Sequence, residues 1–70
     1  MQLIVNGASQ EVTSEISVSQ LLQKMEIMPD RIAVEVNMEI IEKKCYGEKK
    51  LLEGDQVEII GFVGGGSYAL

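Results

Sequence analysis

The segment that most restricts the fold is a short amphipathic stretch that begins with a complete helix-capping signal. Ser17 is a favourable N-cap residue, and Gln20 three positions later completes a capping box. We expect Pro29 to end the segment, because proline disfavours helical geometry in the residue before it. The sequence therefore predicts one main helix, whose buried face carries apolar residues at helical spacing: Val18, Leu21, Leu22 and Met25.

The segments on both sides of this helix alternate between apolar and polar residues, as half-buried strands do. Residues 2–6 predict a first strand, and the Asn6-Gly7 dipeptide favours a two-residue hairpin turn into an antiparallel second strand. Residues 32–37 predict a third strand, residues 37–41 allow a turn and brief pairing, and residues 56–62 predict the last strand. The first and last strands can run parallel at the sheet centre, so the predicted fold class is α+β.

Composition excludes several classes of function. The 70 residues suffice for one domain, and with no histidine and one cysteine, Cys45, the chain lacks Ser–His and Cys–His nucleophile arrangements and any metal-binding spacing. We therefore expect no catalytic side chain, no metal site and no cofactor. The net charge of −5 argues against binding to nucleic acid. It favours a partner protein with a positively charged surface. Without a signal peptide or a long apolar run, the chain is expected to be cytoplasmic and without a membrane partner.

The last predicted strand places two large apolar side chains on the face that the helix leaves open. Val57 and Ile59 are expected to face the helix, whereas Glu58, Ile60 and Phe62 point to the opposite face. One interpretation is a docking patch for a partner, in which Glu58 pairs with arginines of that partner. The alternative is an ordinary solvated strand face with isolated apolar residues. On neighbouring strands and at the strand end, the same patch would be extended by Ile4, Ala33 and Val63.

Three consecutive glycines, Gly64, Gly65 and Gly66, follow Val63 and precede residues 67–70. Glycine has few conformational limits and loses the most entropy when it is ordered, so we expect this segment to be mobile. The predicted organisation is a folded domain over residues 1–63 and a flexible tail over residues 64–70. A terminus without any role is the alternative interpretation.

The end of the last strand and the glycines, read as Phe-Val-Gly-Gly-Gly over residues 62–66, resemble the C-terminal signature of the thiamin-biosynthesis sulfur carriers, the ThiS family. The first strand with its Asn-Gly turn, the capped helix and residues 33–41 are also similar, so the resemblance covers residues 1–66. It implies a ubiquitin-like β-grasp, a mixed sheet of four to five strands with one main helix on one face. The molybdopterin-synthase small subunit and ubiquitin share this order of elements, but the short length and the Val-Gly-Gly-Gly ending favour the ThiS family.

The resemblance implies a carrier on which partner enzymes act, not an enzyme. A ubiquitin-activating-type adenylating enzyme (ThiF-like) would activate the carboxylate of Gly66 with ATP. A cysteine desulfurase relay would supply sulfur to form a thiocarboxylate, and thiazole synthase (ThiG-like) would accept that sulfur. Gly64 and Gly65 would let the tail enter a narrow channel. Because the reacting group is a backbone carboxylate, the absence of histidine fits this cycle.

This chain departs from the family pattern by continuing with residues 67–70 beyond the glycines. We expect a processing protease to remove these four residues; a diverged paralogue and a cloning remnant are the alternatives. Three other functions stay open: an interaction module without covalent chemistry, a carrier for a molybdopterin-type pathway, and a protein modifier joined to lysines through Gly66. Cys45 is interpreted as a small packing residue rather than a sulfur-handling nucleophile.

Overall fold

The computed structural model describes the backbone of residues 1–63 and 66–69 and the side chains of residues 1–61. Within this part of the chain, six strands form one sheet and a single α-helix accompanies it, with 3₁₀ turns at Pro29–Arg31 and Lys43–Cys45. In chain order the elements are β1 (Gln2–Val5), β2 (Ala8–Glu11), α1 (Val18–Lys24), β3 (Ile32–Val36), β4 (Glu39–Ile41), β5 (Gln56–Val63) and β6 (Gly66–Ala69).

The strand order is β2-β1-β5-β3-β4, and β6 also pairs with β5. β1 runs parallel to β5, with Ile4 opposite Gln56 and Val5 opposite Val57, whereas the other pairs are antiparallel. The predicted mixed sheet, with the first strand and the strand over residues 56–62 parallel at its centre, is confirmed. β5 is consequently the strand around which the sheet is organised.

The start of α1 satisfies its free backbone N–H groups in the way the sequence predicts. The N–H of Gln20 donates to Ser17 Oγ at 3.2 Å, and the Gln20 side chain accepts from the Ser17 N–H at 2.8 Å. The N–H groups of Val18 and Ser19 donate to carbonyls of the crossover that follows β4, at residues 49 and 46. The capping box is thus complemented by long-range contacts that fix the crossover against the helix.

The end of α1 differs from the prediction, because the helix stops at Lys24 and Pro29 instead begins a 3₁₀ turn. Glu26 adopts a left-handed conformation with φ 59°, and its N–H donates to the Gln23 carbonyl at 3.0 Å. The Ile27 N–H donates to the Leu22 carbonyl at 2.9 Å. This pair of bonds is a Schellman motif, which normally favours glycine where Glu26 stands. Because Glu26 stands in place of glycine, the sequence contains no local signal for the end of this helix.

The core lies between α1 and one face of the sheet. Val57 and Ile59 are fully buried there, which confirms that these two residues face the helix. Tyr46 is also buried, and burial raises the pKa of its phenol above the usual value. The sequence did not predict that Tyr46 belongs to the core, because most residues in the segment 42–50 are polar. Among the described side chains, the other buried apolar residues are Leu3, Val5, Val12, Val18, Leu21, Leu22, Val34, Val36 and Leu51.

Candidate functional site

β5 carries the glycine segment at its end, and two asparagines hold the beginning of this strand from opposite edges. On the β1 edge, the Asn6 N–H donates to the Val57 carbonyl at 2.8 Å, and Asn6 Oδ1 accepts the Ile59 N–H at 2.7 Å. On the β3 edge, Asn37 exchanges similar bonds with Gln56, at 2.7 Å through its N–H and 3.0 Å through its Oδ1. The base of the tail is therefore a fixed strand.

The sheet face opposite α1 contains part of the predicted docking patch. Glu58 is exposed and Ile60 is half-buried, and Ile60 lies directly opposite Ala33 of β3. Ile4 is 37% exposed, but it lies opposite Gln56, four residues before Ile60 along β5. At about 3.3 Å per residue this is about 13 Å along the strand. The structure thus brings Ile60 and Ala33 together but does not bring Ile4 next to them.

The remaining predicted site residues lie at the end of β5 and beyond it. The backbones of Phe62 and Val63 complete β5, while their side chains, and Gly64 and Gly65 as a whole, lie outside the described residues. Gly66 begins β6 and lies opposite Val63. The sequence predicts a flexible tail over residues 64–70, and within it residues 66–69 pair with β5. Mobility of the tail stays a prediction.

Cys45 lies at a shallow groove of about 360 Å³ beside β4. The thiol residue is half-buried, and the ionisable side chains around it are mainly carboxylates: Glu39, Glu42, Glu48 and Lys49. Within the part of the chain that the structure describes, no three residues among histidine, cysteine, aspartate and glutamate are grouped to hold a metal ion. In the same part, no helix is long and apolar enough to cross a membrane.

Two lysines of the crossover lie close to carboxylates of the same chain. Lys43 Nζ donates to Asp30 Oδ1 at 2.9 Å, and Lys44 Nζ lies 3.8 Å from Glu42 Oε1. The hydrogen bond from Lys43 and its positive charge hold the pKa of Asp30 below its usual value. All four side chains are exposed, so the charges of these two lysines are balanced at the protein surface by carboxylates of the same chain.

In the sequence, Asn6 is recognisable only as a turn residue, and nothing marks Asn37 as a support of β5. The Asn-Gly dipeptide is a known turn signal, but nothing local indicates that either amide oxygen accepts an N–H from β5. For Asn6 and Ile59 that bond joins residues 53 positions apart. An asparagine directly after a strand, where the left-handed conformation is common, was the available clue.

Comparison with protein families gives a match to the ThiS family over residues 3–66. Among curated proteins, a thiazole synthase from Paramagnetospirillum magneticum is 36% identical over 67 residues, which cover 96% of this chain and 21% of that protein. The sulfur carrier protein ThiS of Bacillus subtilis is 40% identical over 50 residues, 71% of this chain and 76% of that protein. The chain spans about a fifth of the length of the thiazole synthases that it matches.

Solved structures show the same architecture. The crystal structure of a thiamine biosynthesis protein (ThiS) from Geobacter metallireducens superimposes with a TM-score of 0.82 and 32% sequence identity. The similarity covers 94% of this chain and 100% of that protein. The predicted ubiquitin-like β-grasp is thereby confirmed.

Proposed function

Because this chain belongs to the ThiS family, we propose that it is a sulfur carrier of thiamin biosynthesis, on which partner enzymes act, and not itself an enzyme. The observation that carries the proposal is the extent of the family match, which runs from β1 to Gly66 and ends at the last of the three glycines. The relative in Bacillus subtilis that is named a sulfur carrier supports the same function. We also propose a cytoplasmic location, as expected for a carrier that an enzyme activates with ATP.

The reacting group in this proposal is the carboxylate of Gly66, exposed once residues 67–70 have been removed by a processing protease. A ThiF-like adenylating enzyme joins this carboxylate to the α-phosphate of ATP and releases pyrophosphate. Persulfide sulfur from a cysteine desulfurase relay attacks the acyl carbon and displaces AMP. A thiol then cleaves the acyl disulfide, which leaves a thiocarboxylate on the carrier and a disulfide on the relay. No side chain of the carrier has to act as acid, base or metal ligand, in keeping with a chain that has no histidine.

The fold supports this cycle by holding the tail at a fixed origin. Asn6 and Asn37 bond the beginning of β5 from both edges, so the strand that leads to the glycines has a fixed position in the sheet. From Gly61 to Gly66 an extended chain reaches about 16–18 Å. This length, without a Cβ at Gly64 or Gly65, suits a narrow channel in a partner. Docking itself is assigned to the face with Glu58 and Ile60 and to the strand end at Phe62 and Val63, with Ile4 farther away on the same face.

The direct test is sulfur loading of a chain that ends at Gly66. Among the side chains that the structure describes, residues 1–61, the buried core residues all lie before this position, so truncation removes none of those. With a ThiF-like enzyme, ATP and sulfide, its intact mass is expected to rise by the difference between one sulfur and one oxygen atom. A Gly65→Val variant of the same truncated chain is the matched control, expected to unfold at the same denaturant concentration and to gain no sulfur. Absence of loading with an enzyme that is active on another ThiS protein would contradict the proposal.

Thiazole synthase is the sulfur acceptor that the relatives support. Two curated proteins of that name match this chain over about a fifth of their length, which favours a carrier and an acceptor that work together. The loaded chain should therefore lose its sulfur to a ThiG-like thiazole synthase given its other substrates. Transfer to a molybdopterin-synthase large subunit instead would reassign the pathway while keeping the carrier chemistry.

A further inference from the structure

β5 has one edge that β1 covers only at its beginning. β1 pairs with β5 as far as Val57, and the Asn6 side chain then takes the N–H of Ile59. The backbone groups of successive strand residues alternate between the two edges. The N–H and C=O of Gly61 and Val63 therefore point to this same edge, beyond the reach of β1. Without a further strand, these groups would form an open sheet edge.

β6 occupies this open part of the edge. Gly61 lies opposite Tyr68 and Val63 lies opposite Gly66, in antiparallel register. Because the odd-numbered residues of β5 face this edge, these two pairs are the ones that exchange hydrogen bonds, while Ser67 turns its N–H away. Only two residues separate Val63 from Gly66, so closing the connection has a small entropic cost.

We propose that residues 67–69 are an internal blocking strand, which holds Gly66 against Val63 and fills the β5 edge, so that a chain continuing past Gly66 withholds its glycine segment from partners. The consequence for partners rests on the proposed function, because Gly66 matters only if it is the reacting residue. The strand itself does not depend on that chemistry. Hydrolysis of the Gly66–Ser67 peptide bond then does two things at once, since it creates the carboxylate of Gly66 and frees the tail from the sheet.

The strand is tested by amide hydrogen exchange, measured by NMR on the 70-residue chain. Tyr68→Pro removes the N–H that donates to Gly61, whereas Ser67→Pro removes one that points away from β5, where proline is tolerated. Tyr68→Pro should speed exchange of the Gly61 and Val63 amides by about tenfold or more, and Ser67→Pro by less than about twofold. The Ile60 amide, which faces β3, should keep its rate in both variants and reports that the sheet is intact. If the Gly61 amide exchanged at the same rate in both variants, the proposed pairing of β6 with β5 would be refuted.

The blocking role is tested by affinity for a ThiF-like adenylating enzyme. The 70-residue chain and its Ser67→Pro variant should bind about fivefold more weakly than the Tyr68→Pro variant, because binding must first release β6. Equal affinities alongside altered exchange would show that the strand forms without blocking, which would contradict the proposal. The two hypotheses fail in different ways, since a chain ended at Gly66 that gains no sulfur removes the proposed function and leaves the exchange result as it stands.

Discussion

The β1–β2 turn and the β3–β4 turn lie on opposite sides of β5, and each begins with an asparagine in the left-handed conformation. Asn6 has φ 51° and Asn37 has φ 52°, and each side chain accepts a backbone N–H from β5. The second turn residues differ, because Gly7 has φ 82° and Met38 has φ 71°. Glycine adopts such angles without strain, whereas a side chain with a Cβ does so at a cost of about 1–2 kcal/mol.

The difference shows that a contact with β5 can outweigh an unfavourable local residue. Met38 is 84% exposed, so little packing of its own side chain offsets the strain. The turn nevertheless forms because the strands on both sides pair and Asn37 bonds Gln56 and Asp55. The first turn is favoured by its own dipeptide, and the second is imposed by its surroundings.

The largest expected effect comes from removing the asparagine that bonds the buried strand. Asn6→Gly keeps the left-handed conformation accessible but deletes the acceptor for the Ile59 N–H, and Ile59 is fully buried. An unsatisfied buried donor costs about 1–3 kcal/mol, so the free energy of unfolding in urea should fall by about 2 kcal/mol. Asn37→Gly is the matched control, and its loss should be about 1 kcal/mol or less, because water can reach the exposed Gln56 N–H. Equal losses would show that the two asparagines are equivalent supports.

An intermediate effect is expected from placing a Cβ in the first turn. Gly7→Ala should lower the free energy of unfolding by about 1 kcal/mol, because φ 82° is unfavourable for alanine. The added Cβ would meet no atom within 4 Å, so a steric clash contributes nothing. Alanine at Gly47, which has an equally open site and no positive φ, serves as the control and should leave the urea midpoint unchanged or raise it. If Gly7→Ala left the free energy of unfolding unchanged, the turn would accommodate the Cβ at no energetic cost.

The smallest effect should have the opposite sign. Met38→Gly relieves about 1–2 kcal/mol of backbone strain and costs about 0.5–1 kcal/mol in conformational entropy. The net expectation is a gain of about 0.5–1 kcal/mol in the free energy of unfolding, measured in urea beside the unsubstituted chain. Met38→Ala, which retains the strain, should bring no gain. A loss on Met38→Gly would indicate that the exposed methionine makes contacts that stabilise the turn.

The parts of the fold that the sequence predicts correctly are those with local signals. The capping box at Ser17 and Gln20 and the turn at Asn6 and Gly7 involve residues at most three positions apart, and both are present in the structure. Strand alternation likewise assigned Val57 and Ile59 to the core. The predicted end of the helix at Pro29 was wrong, because Glu26 occupies a left-handed position where glycine is usual. The burial of Tyr46 was not predicted, because polar neighbours dominate the local sequence pattern.

By itself, the amino-acid order determined where α1 starts, where the first hairpin turns, which face of β5 is apolar and which glycines follow it. These properties arise from backbone preferences and hydrogen bonds between near neighbours. Only the tertiary structure decided that Asn6 and Asn37 bond β5, that Ile4 lies away from Ile60, and that residues 66–69 pair with β5. Each of those outcomes depends on which strand edge lies next to which, and the relative position of strands distant in sequence is set by burial of the whole core at once.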